Sequence, residues 1–293
     1  KMEQIVLPKF IVPVLSQVTI KSPLRYPGGK SKALKQILPL VPYFEEMREP
    51  MVGGGSVFLS LKQLFPNQKF WVNDLNKDLY FFWKNSKEEV ERLTAYIQKV
   101  KNSTEDGHKL FLDLTNSTKD FNDFEKAVRF FILNRITFSG TADSGGFSKQ
   151  AFSKRFTDSS IERVKEMQPL LENTKITNDD YEEILHAPGE EVFIFLDPPY
   201  LSKTKSRLYG KNGELHTSFD HERFAQNMRK CKHKWLITYD NSPEVIKLFS
   251  FANIYEWELQ YGMNNYKQKS AAIGKELFIS NYEIPLLAQK KIN

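Results

Sequence analysis

Residues 197–200, Asp-Pro-Pro-Tyr, directly follow the apolar run Val-Phe-Ile-Phe-Leu at 192–196. Five consecutive apolar residues bounded by prolines predict a central strand that is buried on both faces. Two consecutive prolines end the hydrogen-bond ladder and stiffen the backbone just past the carboxyl end of that strand. Because ligands of open α/β sheets bind at that edge, the sequence places a rigid polar corner where a ligand is expected.

The side chains of this corner suit the binding of an exocyclic amino group on a flat heterocycle. The Asp197 carboxylate and the Pro198 carbonyl can accept the two amino hydrogens, and the Tyr200 ring can stack on the base. The competing interpretation is a strand end followed by a rigid turn with a packed tyrosine. The tetrapeptide alone leaves both interpretations open.

The composition limits the class of protein. The 293 residues are 40% hydrophobic, enough for a large core, and the net charge of +6 permits a polyanionic partner. The single cysteine, Cys231, excludes internal disulfides and a cysteine-based zinc site, and no metal is expected. Apolar runs are too short to span a membrane, and residues 11–18 do not form a signal peptide. We therefore expect a cytoplasmic monomer with no membrane contact.

Strand-like and helix-like segments alternate along the chain, which predicts a mostly parallel sheet. The last two strands follow each other without a helix and indicate an antiparallel edge. Strands are predicted at 47–52, 69–73, 175–177, 191–197, 235–239, 252–260 and 276–283.

The region between the second and third of these strands has helical patterns but no clear strand. A capping box at 86–89 predicts a helix to about residue 101, and further helices are expected at 121–136 and at 158–171, the latter with a box formed by Ser159 and Glu162. The polar stretch 102–120 and the Gly- and Ser-rich stretch 137–157 are predicted to be loops. Residues 85–172 therefore indicate a mainly helical insertion, and residues 1–20 an extended arm.

A second candidate binding element lies at 49–56, Glu-Pro-Met-Val-Gly-Gly-Gly-Ser. A strand, a glycine turn and a helix in series allow a ligand to approach the backbone closely. Asp74 ends the next strand about 20 residues later, where an acid can bind ribose hydroxyls. Because position 58 is Phe, the pattern departs from the dinucleotide fingerprint. The alternative is a tight turn with a surface aspartate.

The segment 25–31, Arg-Tyr-Pro-Gly-Gly-Lys-Ser, is similar to a phosphate-binding loop but lacks its first glycine, since residue 24 is Leu. What remains is a glycine pair that delivers Lys30, which suits an amino-acid carboxylate better than a triphosphate. A solvated basic turn is the alternative.

Together, the motifs at 25–30, 49–58, 73–74 and 197–200 resemble those of the Dam-type DNA adenine-N6 methyltransferases, the D12 class of alpha motif order. The resemblance covers about residues 22–283. It implies an α/β fold, a Rossmann-like S-adenosylmethionine-dependent methyltransferase sheet with an inserted, mainly helical target-recognition domain. The catalytic domain would then comprise 21–84 and 173–293, and the DNA-binding insertion 85–172.

The resemblance also implies roles for individual residues. The catalytic motif is Asp197, Pro198, Pro199 and Tyr200. Residues implied to bind S-adenosylmethionine are Tyr26, Gly28, Lys30, Glu49, Gly53, Gly55, Asp74, Asp180, Tyr181 and Asp197.

Three basic segments, 21–44, 137–157 and 201–213, are candidates for contacts with double-stranded DNA. The second of them resembles the DNA-contacting hairpin of the family. For any single lysine, a solvated surface position is the alternative. The predicted DNA-binding residues are Arg135, Lys149, Lys154, Arg155, Lys203, Lys205 and Arg207.

The expected activity is methyl transfer from S-adenosylmethionine to N6 of an adenine flipped out of duplex DNA. An N4-cytosine methyltransferase is an alternative, although that group more often begins the tetrapeptide with Ser. A protein-glutamine or RNA amine methyltransferase usually has Asn at the position of Asp197. A non-catalytic DNA-binding protein of the same fold is the last alternative. The sequence leaves open the recognition site and whether a restriction endonuclease acts in the same system.

Overall fold

A computed structural model of the chain describes residues 9–116, 120–142, 145–202, 219–260 and 273–293. In these residues seven strands form one sheet, and five neighbouring strands of it are parallel. The strands are β1 Glu46–Glu49, β2 Lys69–Asn73, β3 Thr174–Thr177, β4 Val192–Leu196, β5 Lys234–Asp240, β6 Asn253–Gln260 and β7 Ile273–Ser280.

The strand order is β3-β2-β1-β4-β5-β7-β6, and β7 pairs antiparallel with both β5 and β6. This arrangement confirms the predicted parallel sheet with an antiparallel edge. The chain runs outward from β1 to β3 and then returns to β4 beside β1, so the strand order reverses between β1 and β4. The carboxyl ends of these two strands are therefore adjacent, at the position where doubly wound sheets bind ligands.

The central strand β4 is buried along its whole length, as predicted. Its alternate residues enter different cores, since Phe193 and Phe195 join one hydrophobic cluster whereas Ile194 and Leu196 join another. Alternation of side chains across a strand sends them to opposite faces, so both faces of the sheet are covered. A sheet buried in this way explains the unbroken apolar run.

The helices are α1 Leu34–Ile37, α2 Ser56–Leu64, α3 Lys77–Glu88, α4 Val90–Ser103, α5 Gly107–Thr115, α6 Asp123–Ile136, α7 Lys149–Arg155, α8 Asp158–Leu171, α9 Tyr181–His186, α10 His221–Lys230 and α11 Pro243–Leu248. In the described parts of residues 74–173, the helices α3 to α8 connect β2 to β3. None of the helices in the described ranges is long and apolar enough to cross a membrane.

Several helix boundaries in this connection differ from the prediction. Ser86 lies inside α3, where its hydroxyl donates to the Phe82 carbonyl at 2.7 Å, so it caps no new helix and the proposed boundary at residue 85 falls within α3. The predicted loop 102–120 contains α5, which the Asp106 side chain caps. The predicted loop 137–157 contains α7, and Thr157 rather than Ser159 caps α8. The helices α5 and α8 begin at polar capping residues, Asp106 and Thr157, that lie outside the expected capping motifs, and the prediction therefore missed these caps.

The helical connection packs directly on the sheet domain. The rings of Phe82 and Phe131 stack with centroids 5.7 Å apart, which joins α3 to α6. Trp83 donates its indole N–H to the Gly53 carbonyl at 3.2 Å. The described part of the arm is extended apart from a short 3-10 turn, and Gln63 of α2 accepts from the amides of Thr19 and Ile20.

Candidate functional site

The Asp-Pro-Pro-Tyr turn begins at the carboxyl end of β4, and its aspartate is held by two side chains. The Lys30 ammonium lies 2.7 Å from Asp197 Oδ2, and the Thr238 hydroxyl donates to Oδ1 at 2.8 Å. The Lys30 side chain is 3% exposed and that of Asp197 is 22% exposed. An open carboxylate with a buried cation behind it is fixed in orientation and can still accept a hydrogen bond from a ligand.

Lys30 therefore has a protein partner that the sequence did not indicate. Its ammonium also donates to the carbonyl of Gly28 at 2.8 Å, and Gly28 adopts a left-handed conformation with φ of 72°. The segment that resembled a phosphate loop thus delivers its lysine to the aspartate of β4. Contact of Lys30 with the carboxylate of an amino-acid ligand stays a prediction.

Tyr200 ends the turn and is enclosed by protein. Its hydroxyl donates to Glu276 at 2.6 Å, its ring stacks on Tyr239 with centroids 6.2 Å apart, and the Lys30 ammonium lies 5.1 Å from the ring centroid. Burial, followed by the charges of Asp197 and Glu276, raises the pKa of the Tyr200 hydroxyl well above its usual value. The hydroxyl is therefore a neutral donor. Sequence analysis missed Glu276, since it belongs to no recognised motif.

The glycine turn, residues 53–55, is shaped by Tyr26. Gly53 and Gly55 both have positive φ, at 49° and 69°. A Cβ atom on Gly53 would lie 2.7 Å from Cε1 of Tyr26, and one on Gly54 would lie 2.9 Å from the Tyr26 Cβ. The glycines thus allow the tyrosine to lie against the backbone next to the ends of β1 and β2, as only glycine permits at this distance.

Two further carboxylates lie beside this turn and accept hydrogen bonds from backbone amides. Glu49, 3% exposed, accepts from the amide of Phe58 at 3.0 Å. Asp74 accepts from the amides of Gly53 at 3.0 Å and Asn76 at 2.9 Å.

The three acids Glu49, Asp74 and Asp197, here termed the acidic cluster, lie near one another, and the charges of the two aspartates act on Glu49. Burial raises the pKa of Asp74 to about 6, although its backbone hydrogen bonds act in the opposite direction. Burial also raises the pKa of Glu49 well above its usual value, and the charges of Asp197 and Asp74 raise it further, against the bond from Phe58. A cluster of this kind favours a ligand that carries positive charge.

Asn73 fixes the strand ends that carry these groups. Its amide nitrogen donates to the carbonyls of Pro50 at 3.0 Å and Asp179 at 2.9 Å. Its oxygen accepts from the Thr177 hydroxyl at 2.7 Å and the Asp179 amide at 2.8 Å. One buried side chain therefore ties together the carboxyl ends of β1, β2 and β3. The sequence showed Asn73 only as the neighbour of Asp74.

Asp180 and Tyr181, at the start of α9, are joined to α10 by Arg223. The guanidinium donates to both carboxylate oxygens of Asp180, at 3.0 and 3.1 Å, and also to Glu182. Burial raises the pKa of Asp180, but the hydrogen bonds from Arg223 and the Glu182 amide outweigh it and lower the pKa overall. The Tyr181 ring packs edge-on against Phe224 at 5.5 Å. Contact of this pair with a ligand stays a prediction.

The predicted DNA-binding residues divide into three groups. Lys149, Lys154 and Arg155 are exposed on α7. Arg135 is only 6% exposed and donates to the carbonyls of Pro23 at 3.1 Å and Arg155 at 2.7 Å. Its guanidinium joins backbone segments, and a direct contact of Arg135 with DNA stays a prediction. The remaining residues, Lys203, Lys205 and Arg207, lie outside the described residues.

Arginines accumulate where α6 meets the segment before Lys30 and the end of α7, a region here termed the arginine-rich junction. Burial, and after it the charges of Arg25, Arg163 and Arg155, together lower the pKa of Arg135 to about 10. The Arg25 guanidinium donates to the Thr137 carbonyl at 3.1 Å. Positive charges that repel one another in this way favour a polyanion at the surface of the junction.

The segment before Lys30 is joined to the end of α6 by Asn134, which is fully buried. The Asn134 side chain accepts from the amide of Arg25 at 2.9 Å and donates to its carbonyl at 2.6 Å. Gly140 is needed beside them, since a Cβ there would lie 2.3 Å from the Arg25 carbonyl oxygen. The helical connection is thus hydrogen-bonded to the segment that carries Tyr26 and Lys30.

Comparisons with known proteins show which family the chain is similar to. Residues 26–263 match the family described as D12 class N6 adenine-specific DNA methyltransferase. Type II methyltransferase M1.LlaDCHI of Lactococcus lactis subsp. cremoris is 24% identical, over 91% of this chain and 97% of the relative. Type II methyltransferase M.MjaIII of Methanocaldococcus jannaschii is 28% identical, over 64% of this chain and 72% of the relative. DNA adenine methylase of Vibrio cholerae is 29% identical, over 65% of this chain and 70% of the relative.

Proposed function

Because the chain belongs to the D12 class of N6 adenine-specific DNA methyltransferases, we propose that it methylates N6 of an adenine flipped out of double-stranded DNA, at a specific site. The observation that carries this proposal is the Asp197 carboxylate, partly exposed at the end of β4 and held by Lys30 and Thr238. The acidic cluster lies at the same switch point of the sheet.

Membership in a methyltransferase family implies S-adenosylmethionine as the cofactor, and the residues present fit it. The acidic cluster suits a ligand with a positively charged sulfur and a positively charged amino group. Asp74 is placed to accept from ribose hydroxyls, and the left-handed glycine turn lets a ligand approach the backbone. When bound, S-adenosylmethionine supplies an electrophilic methyl group. The residues proposed to hold it are Tyr26, Gly28, Lys30, Glu49, Gly53, Gly55, Asp74, Asp180, Tyr181 and Asp197.

The chain's own contribution is to orient the target amine. Asp197 accepts one amino hydrogen and the Pro198 carbonyl accepts the other, which directs the nitrogen lone pair toward the cofactor pocket. Pro198 and Pro199 carry no backbone N–H and keep the turn stiff. Each preorganised acceptor contributes a rate factor of about 10²–10³. The Tyr200 ring provides a stacking surface for the flipped base, on the side that now faces Lys30.

Duplex DNA is proposed to lie along the arginine-rich junction and α7. Flipping a base costs a few kcal/mol, and phosphate contacts hold the duplex while this happens. The exposed side chains of Lys149, Lys154 and Arg155 are suited to that role, and the basic stretch 203–211 is proposed to add contacts. The insertion 85–172 is accordingly proposed as the target-recognition region, with its first helix shared with the catalytic domain.

Three accompanying proposals concern the partner, the cellular location and the oligomeric state of the protein. The relatives named Type II methyltransferases support pairing with a restriction endonuclease in the same system. A DNA substrate supports a cytoplasmic location. A monomer is proposed because one chain carries both the acidic cluster and the basic surface.

The test is to incubate the purified chain with tritiated S-adenosylmethionine and unmethylated duplex DNA, then digest the DNA to nucleosides. Label in N6-methyladenine is the expected result. Label in N4-methylcytosine, or DNA binding without label, would overturn the proposal. The matched control is Asp113→Ala on α5, whose exposed carboxylate pairs with the neighbouring surface residue Lys109; it is expected to retain full transfer.

A further inference from the structure

We propose that Glu276 on β7 is a positioning residue for the target-binding ring, acting through the Tyr200 hydroxyl, and that with Thr238 and Asp240 it forms a polar cradle that fixes the Asp-Pro-Pro-Tyr turn. The proposal rests on the proposed function, because it concerns how that turn is held for the amine. None of these three residues belongs to a motif that the sequence singled out.

The sheet register places the three side chains together. Thr238 and Asp240 are two residues apart on β5, so their side chains point to the same face. Asp240 lies opposite Glu276 in the antiparallel pair of β5 and β7, and opposite residues of such a pair share a face. The polar cradle is therefore a property of strand pairing, at the end of β5 next to the turn.

Each member holds a different part of the turn. Thr238 donates to Asp197 Oδ1 at 2.8 Å, and Glu276 accepts from the Tyr200 hydroxyl at 2.6 Å. Asp240 accepts from the next two backbone amides, those of Leu201 at 2.9 Å and Ser202 at 3.0 Å. The paired strands β5 and β7 thus hold the turn at three points: its first residue, its last residue and the two residues that follow it.

The burial of these groups argues for positioning. Glu276 is 2% exposed, and Thr238 is fully buried. A carboxyl group at such a strand position lowers stability unless hydrogen bonds compensate its desolvation, and an apolar residue of similar size avoids that penalty. The hydroxyl lies on the axis about which the ring turns, so its bond to Glu276 anchors the far end of the Tyr200 side chain and sets the direction of that axis, while the stack on Tyr239 limits rotation about it. The carboxylate therefore contributes orientation of the stacking ring.

The experiment is a double-mutant cycle of Glu276→Met and Tyr200→Phe. Steady-state methyl transfer gives kcat, cofactor titration gives Kd, and duplex DNA with 2-aminopurine at the target position reports flipping by fluorescence. Glu276→Met is expected to lower kcat about tenfold with the cofactor Kd unchanged, because it leaves the hydroxyl without this acceptor. In the Tyr200→Phe background the same change is expected to have no further effect on kcat.

Two variants serve as controls. Glu276→Gln keeps an oxygen acceptor and is expected to restore kcat to within about threefold of the wild type. Glu258→Met makes the same change at an exposed position of β6 and is expected to leave kcat and fluorescence unchanged. If Glu276→Met does not fold in a thermal melt, Tyr200→Phe alone decides, since it removes the same hydrogen bond and should lower kcat similarly.

Additive effects of the two changes, or a wild-type kcat in Tyr200→Phe, would overturn the positioning role. These outcomes are distinct from failure of the proposed function. If the wild type labels N6-methyladenine but the cycle is additive, only this inference is wrong. If the wild type labels no adenine, both are wrong.

Discussion

Around β1 and β2 the carboxylates of Glu49 and Asp74, proposed to bind the cofactor, accept hydrogen bonds from backbone amides, whereas around β4 the Asp197 carboxylate and the Tyr200 hydroxyl bond to side chains. We term these regions the cofactor side and the catalytic side. Backbone donors are fixed by the fold and have no alternative rotamer. Side-chain donors such as the Lys30 ammonium can exchange partners when a ligand arrives.

The difference indicates that the two sides have different roles, one in binding affinity and the other in the rate of transfer. On the cofactor side, bonds from backbone amides and the Asn73 side chain, which ties three strand ends together, fix the proposed ligand contacts before a ligand binds. On the catalytic side, the aspartate is held in place by groups that leave part of it accessible. Substitutions on the catalytic side should therefore alter the rate of transfer, and substitutions on the cofactor side should alter affinity.

The largest effect is expected from Asp197→Ala, which removes the acceptor for the target amine. Its kcat should fall by about 10²–10³-fold while the cofactor Kd changes far less, because Glu49 and Asp74 of the acidic cluster remain and preorganised electrostatics act mainly on the transition state. Tritium transfer and calorimetric titration would measure the two quantities. A large loss of cofactor affinity in this variant would break the division between the two sides.

A second, smaller effect concerns the ionisation of Asp74 on the cofactor side. Since its pKa is about 6, the carboxylate accepts hydroxyl donors above that pH and is neutral below it. Cofactor affinity should fall as the pH decreases from 7 to 5, by about tenfold, as for loss of a hydrogen bond to a charged group. Asp74→Asn should bind weakly at every pH, and the same pH dependence in that variant would contradict the assignment.

The same pKa has a consequence for stability. The folded chain holds the Asp74 proton more tightly than the unfolded chain, whose pKa is near 3.8. The contribution of Asp74 to the free energy of unfolding therefore decreases as the pH rises from 3.8 to about 6 and stays low above that. Denaturant titrations of the ligand-free wild type and Asp74→Asn across this range would measure it.

Asn134→Ala tests whether the helical connection positions the cofactor side. It leaves the amide and carbonyl of Arg25 without their partner, which should lower stability by about 1–3 kcal/mol. We expect a several-fold weaker cofactor Kd, about fivefold, through displacement of Tyr26. Asn102→Ala, an exposed position on α4, is the control. An unchanged cofactor Kd in Asn134→Ala would show that the bonds between Asn134 and Arg25 contribute to stability but not to cofactor binding.

The smallest effect is expected outside both sides, on α7. Lys154→Ala and Arg155→Ala should each weaken DNA binding uniformly across sequences and reduce the salt slope by about 1. The cofactor Kd should not change. Binding measured between low and moderate salt would show this, with Lys99→Ala on α4 as a matched surface lysine. An unchanged slope would remove that residue from the phosphate contacts.

Much of the fold followed from local pattern. β2 was predicted at its observed bounds and β4 within one residue at each end, because unbroken apolar runs between turn residues determine short buried strands. The helical connection was predicted less well. Its α5 is capped by Asp106 within a polar stretch, and the apparent start signal at Ser86 lies inside α3, where the Ser86 hydroxyl donates to the Phe82 carbonyl.

The sequence by itself determined the positions of the rigid Asp-Pro-Pro-Tyr corner and the glycine turn, because proline and glycine restrict or release the backbone wherever they occur. Only the tertiary structure decided which side chains meet there. Lys30 and Asp197 are separated by 167 positions, Arg25 and Asn134 by 109, and Tyr200 and Glu276 by 76. Such contacts depend on strand order and register, which bring distant segments to one edge of the sheet and leave no periodic trace in the chain.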